Sequence, residues 1–335
     1  MKTLKTHCKY KSKFLKTSMY WIIENSKPIH DNLKRINNCG KAKSIDTFDF
    51  AKLYTNIPHD LLLSQIEFAV HEAFTLKEDC HTVRITKTKA FWSTLKSDSA
   101  KANSKTIYLT EKDILEYTKY LIENLYIKFF DIIFRQVIGV PMGSDCGPDL
   151  ANLFLFSYEY KYILKLIDTS DSDYTKFMYI FRYIDDLISL NDKQHFYKVF
   201  KDIYPDVLTL NNTNISAGSC NYLDMNITIT NNKFNYTLYD KRNDYDFNVI
   251  SLPNLKSNVP VSPTYSVLYS QILRYFNATN NIDDFCNNVR ALRLKMINQN
   301  FRKHGIHMQI SKFLNSRMYD IAAKFWSVPR FSDIL

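Results

Sequence analysis

Two aspartates, Asp185 and Asp186, stand side by side inside the apolar run KFMYIFRYIDDLISL at 176–190. Withdrawing an unpaired charge from water is costly. Neighbouring carboxylates also repel, which raises the pKa of one of them. A divalent cation answers both problems. Mg²⁺ prefers oxygen ligands and usually takes one or two carboxylates together with substrate phosphates. Asp49, in the strand-like stretch SIDTFDFAKLYTNI at 44–57, is a third candidate ligand. Two surface aspartates in a tight turn would give the same local pattern, so the pair alone leaves both readings open. A second cluster involves the backbone. Of six glycines, Gly139, Gly143 and Gly147 fall within nine residues, alongside Pro141 and Pro148. Such a stretch reads as an irregular loop where backbone approaches something closely.

The elements that must position these groups are legible as patterns. Residues 44–57 begin with the alternation of a strand, and Pro58 suits the first turn of a helix running to about Phe74. The polar stretch 77–107 reads as an insertion or loop. A helix is expected from Glu111 to about Tyr126, then a hairpin or paired strands over 129–140. Pro148 opens the helix ANLFLFSYEYKYILKLI, and 176–190 reads as strand, turn, strand. A helix near 193–203 and two or three strands in 221–250 follow. From Pro263 the period is helical, in about three segments.

The 335 residues, 45% of them hydrophobic, suffice for one large or two medium domains. There is no uncharged apolar run of about 18 residues, so no membrane span is expected. The lysine-studded start lacks the apolar core of a secretory signal. Six scattered cysteines without a C-x-x-C pair argue against a zinc ribbon or a disulfide scaffold. Charge is uneven. Residues 1–43 carry 11 basic and 2 acidic side chains, and 263–335 carry 10 and 4. The middle is therefore −5, being +10 less +9 and +6. This suits either a polyanion held along the edges of a metal-binding centre or simply solvated, lysine-rich ends.

Three segments stand in a meaningful order: DFAKLYTNIPH from Asp49, GVPMGSDCGP at 139–148 and FRYIDDL at 181–187. In this order they resemble the motifs of reverse transcriptases, in wording most like the Penelope-like retroelement type, which is related to telomerase. The likeness continues through NYLDMNITI, LYDKRNDYDF, SLPNLKSNVP and SVLYSQILRY, covering roughly 18–320. It implies an α+β fold: a right-hand polymerase palm (an antiparallel sheet with flanking helices) plus a helical thumb, the fingers being incomplete. Residues 1–43 would be a basic remnant of the fingers, 44–262 the palm with its insertion near 77–107, and 263–335 the thumb.

The resemblance also implies chemistry. The chain would be an RNA-directed DNA polymerase adding dNTPs to a DNA primer on an RNA template, with two Mg²⁺ ions, or Mn²⁺ as a substitute. Asp49 and Asp185 would bridge the metals, with Asp186 supporting and the Phe50 carbonyl as a further ligand. Met142, Gly143 and Ser144 would line the nucleotide, and Tyr183 would lie near the primer terminus. Arg182 would contact nucleic acid or brace the hairpin. Lys241 and Arg242 would grip the primer or form a solvated turn. Arg290, Arg293 and Lys295 would hold the duplex through its phosphates. An intracellular, nuclear location is expected, and oligomeric state is left open. The rival readings are an RNA-directed RNA polymerase, which Tyr54 disfavours, and an inactive nucleic-acid-binding protein or fragment that keeps the palm.

Tyr54 is the implied sugar gate, packing beside C2′ of the incoming nucleotide. Tyr54→Val is expected to raise ribonucleotide incorporation relative to deoxynucleotide incorporation in a competition assay. Unaltered selectivity would make Tyr54 only a core residue.

Overall fold

The structure, a computed structural model, describes residues 1–95, 106–140, 144–247, 249–330, 332 and 334. The helices are α1 (Lys2–Leu15), α2 (Lys27–Cys39), α3 (Leu53–Asn56), α4 (His59–Thr75), α5 (Glu111–Glu123), α6 (Gly147–Asp168), α7 (His195–Ile203), α8 (Val261–Ala278), α9 (Ile282–Asn298), α10 (Lys303–Ser316) and α11 (Met318–Phe325). The strands are β1 (Ile45–Ala51), β2 (Thr82–Thr86), β3 (Ala90–Ser93), β4 (Thr106–Leu109), β5 (Tyr126–Phe129), β6 (Ile132–Arg135), β7 (Ile180–Tyr183), β8 (Asp186–Leu190), β9 (Thr209–Asn212), β10 (Asn214–Ser216), β11 (Ser219–Tyr222), β12 (Met225–Thr230) and β13 (Lys233–Leu238). The fold is thus mixed α and β, with antiparallel pairing. No described helix is long and apolar enough to cross a membrane.

The chain forms two compact units, one of 1–23 and 48–212, the other of 24–47 and 213–335. The first is built on a four-stranded sheet in the order β7-β8-β1-β9. Its core includes Phe48, Phe50, Phe154, Phe156 and Phe196. Helix α6 is apolar around most of its circumference because it is buried along most of its length. Pro148 sits in its first turn and Pro58 caps α4, both where a missing N–H costs nothing. The second unit holds the sheet β10-β11-β12-β13 and helices α8 to α11, whose core centres on Phe276, Phe285 and Phe313.

Two expectations are corrected in detail. The stretch 77–107, read as a loop, contains the three-stranded sheet β3-β2-β4, residues 96–105 lying outside the described set. Its lysines and serines hid the period-2 runs TVRIT and TIYL, whose β-branched and aromatic residues suit a pleated surface. Where about three helical segments were expected from Pro263, the described residues form four, α8 to α11, the first starting at Val261, because Arg317 separates α10 from α11.

Arg182 also departs from its expected place at the primer or template. Its side chain is 0% exposed. Nε donates to Glu159 Oε1 at 2.5 Å and Nη2 to Oε2 at 3.2 Å; Nη1 donates to Asn152 Oδ1 at 2.8 Å and to the Ile184 carbonyl at 2.9 Å. Tyr204 Oη adds a 2.8 Å bond to Glu159 Oε1. Burial alone would lower the guanidinium's pKa, but the adjoining Glu159 carboxylate outweighs it and leaves the pKa raised. Between the two alternatives, the residue braces the hairpin. Arg182→Leu or Glu159→Leu, each stranding a buried charge, is expected to cost about 3–5 kcal/mol in urea unfolding. The double variant should lose much less than the sum. Additive losses would mean that the two side chains do not act as a pair.

Candidate functional site

The candidate site starts from the alternation of β1. Phe48 and Phe50 are buried in the core, Phe50 edge-on to Tyr204 with ring centres 5.0 Å apart. Period 2 then turns the half-buried Asp49 to the opposite face. In the neighbouring hairpin Tyr183 pairs with Asp186, so Ile184 and Asp185 form a two-residue turn. The Phe50 N–H donates to the Asp185 carbonyl at 3.2 Å. This bond brings the Asp185 backbone to the residue next to Asp49. Asp185 and Asp186 are both half-buried.

The turn is strained. Ile184 has φ of 56°, a left-handed conformation that a β-branched side chain rarely adopts. Such a backbone persists only where its surroundings hold it. Here Arg182 does so, bonding the Ile184 carbonyl from inside while its own backbone bonds the 20–23 segment. The Arg182 N–H donates to Trp21 O at 2.7 Å, and the Ile23 N–H to Arg182 O at 2.9 Å.

Tyr54 lies on α3, after β1, and is half-buried. Its phenol pKa is raised, first by burial and then by the negative charge of Asp185 and by Tyr183. Tyr54, Asp185 and Tyr183 therefore share one environment. Gly139 fixes Tyr54 from behind. Its φ is +85°, and a Cβ there would lie 2.5 Å from the Tyr54 carbonyl oxygen. The Val140 N–H donates to that oxygen at 2.6 Å, and the Gly139 N–H to Ile57 O at 2.8 Å. His59 Nε2 lies 2.9 Å from the Gly139 carbonyl and, as the protonated ring nitrogen, donates to it.

Ser144 is half-buried three residues before α6, with its carbonyl accepting from the Gly147 N–H at 3.1 Å. Met142 and Gly143, expected to line the nucleotide, lie outside the described residues. The basic candidates belong to the second unit. Lys241 is exposed; Arg242 is half-buried and paired with Asp240 at 2.6 Å. Arg290 is exposed and donates to Asn287 Oδ1 at 2.8 Å. Arg293 follows one turn later, whereas Lys295, at about 100° per residue, projects from another side of α9. Lys295 adds to the positive field that, after the Arg242 hydrogen bond, holds the Asp240 carboxyl below its usual range. Sequence reasoning missed Glu159, Asn152 and Tyr204. A glutamate within the apolar run LFLFSYEYKYILKLI signals a buried charge that needs a cation.

Among the described residues no group of three or more His, Cys, Asp and Glu side chains is arranged to hold a metal ion. Asp49 on β1, Asp185 and Asp186 at the neighbouring β7–β8 hairpin and the Phe50 carbonyl are oxygen donors of the chemistry that Mg²⁺ takes, one or two carboxylates being its usual protein share beside substrate phosphates.

An antiparallel sheet carrying adjacent carboxylates, with helices around it, is the class of fold described. No family model and no curated protein matches the sequence. Among solved structures the chain is similar to Candida albicans telomerase in complex with a TWJ fragment of telomeric RNA. The identity is 11% and the TM-score 0.59, over 92% of this chain and 50% of that one. Apo telomerase from Candida tropicalis matches at 12% identity and TM-score 0.48, over 96% and 51%. The chain thus spans about half the length of these solved chains. At such identity the first likeness is one of fold, a fold related to that of telomerase.

Gly139→Ala is expected to destabilise the first unit by roughly 1–3 kcal/mol, the order of cost of a strained backbone. Because it displaces the Tyr54 backbone, it should also bring the Tyr54 phenol pKa down toward the ordinary tyrosine range, read from the ring resonance of Tyr54 in ring-labelled protein, assigned with Tyr54→Phe. A variant with wild-type melting and an unmoved Tyr54 titration would mean that the close contact is unimportant.

Proposed function

We propose that this chain is the catalytic portion of an RNA-directed DNA polymerase of the Penelope-like retroelement type, acting in the nucleus. Residues 44–262 would serve as the palm, 263–335 as the thumb and 1–43 as a remnant of the fingers. The observation that carries this reading is the hydrogen bond from Phe50 N–H to Asp185 O, which sets the Asp49 strand beside the Asp185–Asp186 turn. Tyr54 supports it, its phenol pKa being raised first by burial and then by the negative charge of Asp185. Asp49, Asp185, the supporting Asp186 and the Phe50 carbonyl would hold two Mg²⁺ ions, or Mn²⁺. Such ions supply Lewis-acid stabilisation of charge at the reacting phosphate and lower the pKa of the attacking hydroxyl.

The chain's own residues would do the rest. Tyr54 would exclude a 2′-hydroxyl, and Tyr183 would sit at the primer end. Ser144, with Met142 and Gly143, would line the nucleotide. Arg182 would act as a positioning residue, holding the strained turn that presents Asp185. Lys241, Arg290, Arg293 and Lys295 would engage the primer and template backbones through charge, and Arg242 would do so only with its Asp240 pairing shared. A second reading is a nucleic-acid-binding protein that keeps the palm without turnover.

Primer extension on an RNA template with Mg²⁺ or Mn²⁺, comparing dNTPs with rNTPs, separates the two. Asp49→Asn and Asp185→Asn should each lower extension by at least about a hundredfold, the scale of losing one preorganised electrostatic contact or more. Asp186→Asn should be less damaging. Template affinity should survive in all three, and melting curves would show that the variants are folded. Folded Asp185→Asn protein that extends a primer at the wild-type rate would remove the hairpin from the catalytic centre. A wild-type chain that binds template but never extends would establish the second reading.

A further inference from the structure

Helix α1 turns one stripe toward a cleft. Thr3, His7, Tyr10 and Phe14 recur at the three- and four-residue spacing of a helix face, while Leu4 and Cys8 beside them are buried in the core. The first three of these line a cleft of about 680 Å³, together with Phe91 and Trp92 of β3 and Lys77 just after α4. That volume lies within the range of ligand sites, roughly 300–1,000 Å³. Every lining residue belongs to the first unit. One wall is held firmly. Trp92 meets Phe74 of α4 edge-on with ring centres 4.9 Å apart, and its Nε1 donates to Thr3 Oγ1 at 2.7 Å.

Three features select the occupant. The first is aromatic surface. Phe91 is 43% and Tyr10 63% exposed, and Phe14, 70% exposed, continues from Tyr10 along the helix with ring centres 5.1 Å apart. The second is charge. Residues 1–16 carry six lysines and no acidic side chain. Exposed Lys9 and Lys13 run beside the Tyr10–Phe14 row, and exposed Lys11 lies on its other side. Lys2 and Lys77 stand at the cleft, whose described lining holds no carboxylate. Arg84 lies over Phe91, 5.2 Å from the ring centre.

The third feature is a polar atom. His7 Nε2 is buried and has no hydrogen-bond partner among the described residues. Burial first, then the charge of Lys11, lowers the His7 pKa against the opposing influence of Glu72, so the ring is neutral at pH 7. Leaving such a nitrogen unpaired costs free energy that a hydrogen-bonding ligand recovers. An acidic peptide would satisfy the lysines and leave the rings idle. A flat base bearing a phosphate uses the rings, the imidazole and the lysines together. A row of rings flanked by cations repeats those contacts along a strand.

We infer that α1 and β3 form a track for single-stranded nucleic acid, one base entering the cleft against Tyr10 and Phe91 with its edge on His7. The next base stacks on Phe14, and the phosphates lie along Lys9 and Lys13. None of these residues belongs to the proposed metal site or to the basic groups assigned above to primer and template. The inference does not rest on the polymerase reading, and its test involves no primer extension.

Fluorescence anisotropy of the full chain with a short labelled oligouridylate tests it, with duplex RNA of the same length and uridine monophosphate as the other arms. Tyr10→Ala with Phe14→Ala should lower affinity for the strand at least about tenfold, the scale of one lost base–aromatic stack. Duplex binding and melting should be unchanged, since both rings are exposed. Lys9→Gln with Lys13→Gln should flatten the salt dependence of strand binding. Lys112→Gln, an exposed lysine on α5, should leave it as it is. Photocrosslinks from bromouridine in the strand should fall within residues 1–16 or 90–92. Wild-type affinity in the Tyr10–Phe14 variant, or crosslinks confined to other segments, would overturn the inference. So would an equal loss with duplex, which would leave α1 as unspecific charge. Uridine monophosphate binding as tightly as the strand would make the cleft a mononucleotide pocket instead, and displacement of the strand by an equally charged oligoglutamate would make it a peptide site.

Discussion

The Arg182 guanidinium, sealed from water between Glu159, Asn152 and the Ile184 carbonyl, is the constraint on which the rest of the first unit depends. A buried cation cannot be left unmatched, so the hairpin β7–β8 must stay where α6 can supply the carboxylate. The same side chain bonds the carbonyl of a turn residue in a left-handed conformation. One buried ion pair thus couples the packing of a helix to the shape of a turn, and the turn presents Asp185 beside β1. Its backbone extends the coupling to the 20–23 segment, which explains why residues from the beginning of the chain belong to this unit.

The other side of the candidate site is held by backbone contacts. Gly139 comes so near to the Tyr54 carbonyl that no side chain fits between them, and bonds from Val140 and His59 hold the contact from either side. The chain between Tyr54 and Ile57 is thereby fixed against the stretch leading into α6. A charged bracket and a steric one therefore fix the β7–β8 turn and the segment after β1, whose members are far apart in sequence.

The second unit has a different economy. Its helices pack through an aromatic core; Lys241 and Arg290 are exposed outside that core, Arg242 is already partnered, and Lys324 lies against the core rings of Phe276 and Phe325. Positive charge on such a surface gives attraction to a polyanion without fixing a geometry. Specific geometry is concentrated in the first unit. The hairpin β5–β6 is an exception within that unit, since its apolar residues contribute nothing to the core.

The sequence by itself determined much of the local structure and singled out the candidate carboxylates. Asp49, Asp185 and Asp186 stand in apolar stretches, a pattern open to both a metal site and a surface turn, and the structure places Asp185 in the turn. Pro58 and Pro148 mark two helix starts, because a residue lacking an N–H suits a first turn. Period 2 was readable at 176–190 but hidden at 82–109, where polar composition masked it. What only the tertiary structure decided is partnership. Arg182 beside Tyr183 looked as ready for a phosphate as for a carboxylate, since a guanidinium binds both in the same way. Its choice was made by Glu159, 23 residues earlier on another element. The left-handed turn at Ile184 and the contact of Gly139 on Tyr54 are likewise invisible in one dimension. They arise because a charge or a missing side chain acquires its meaning only from the atoms that folding sets against it.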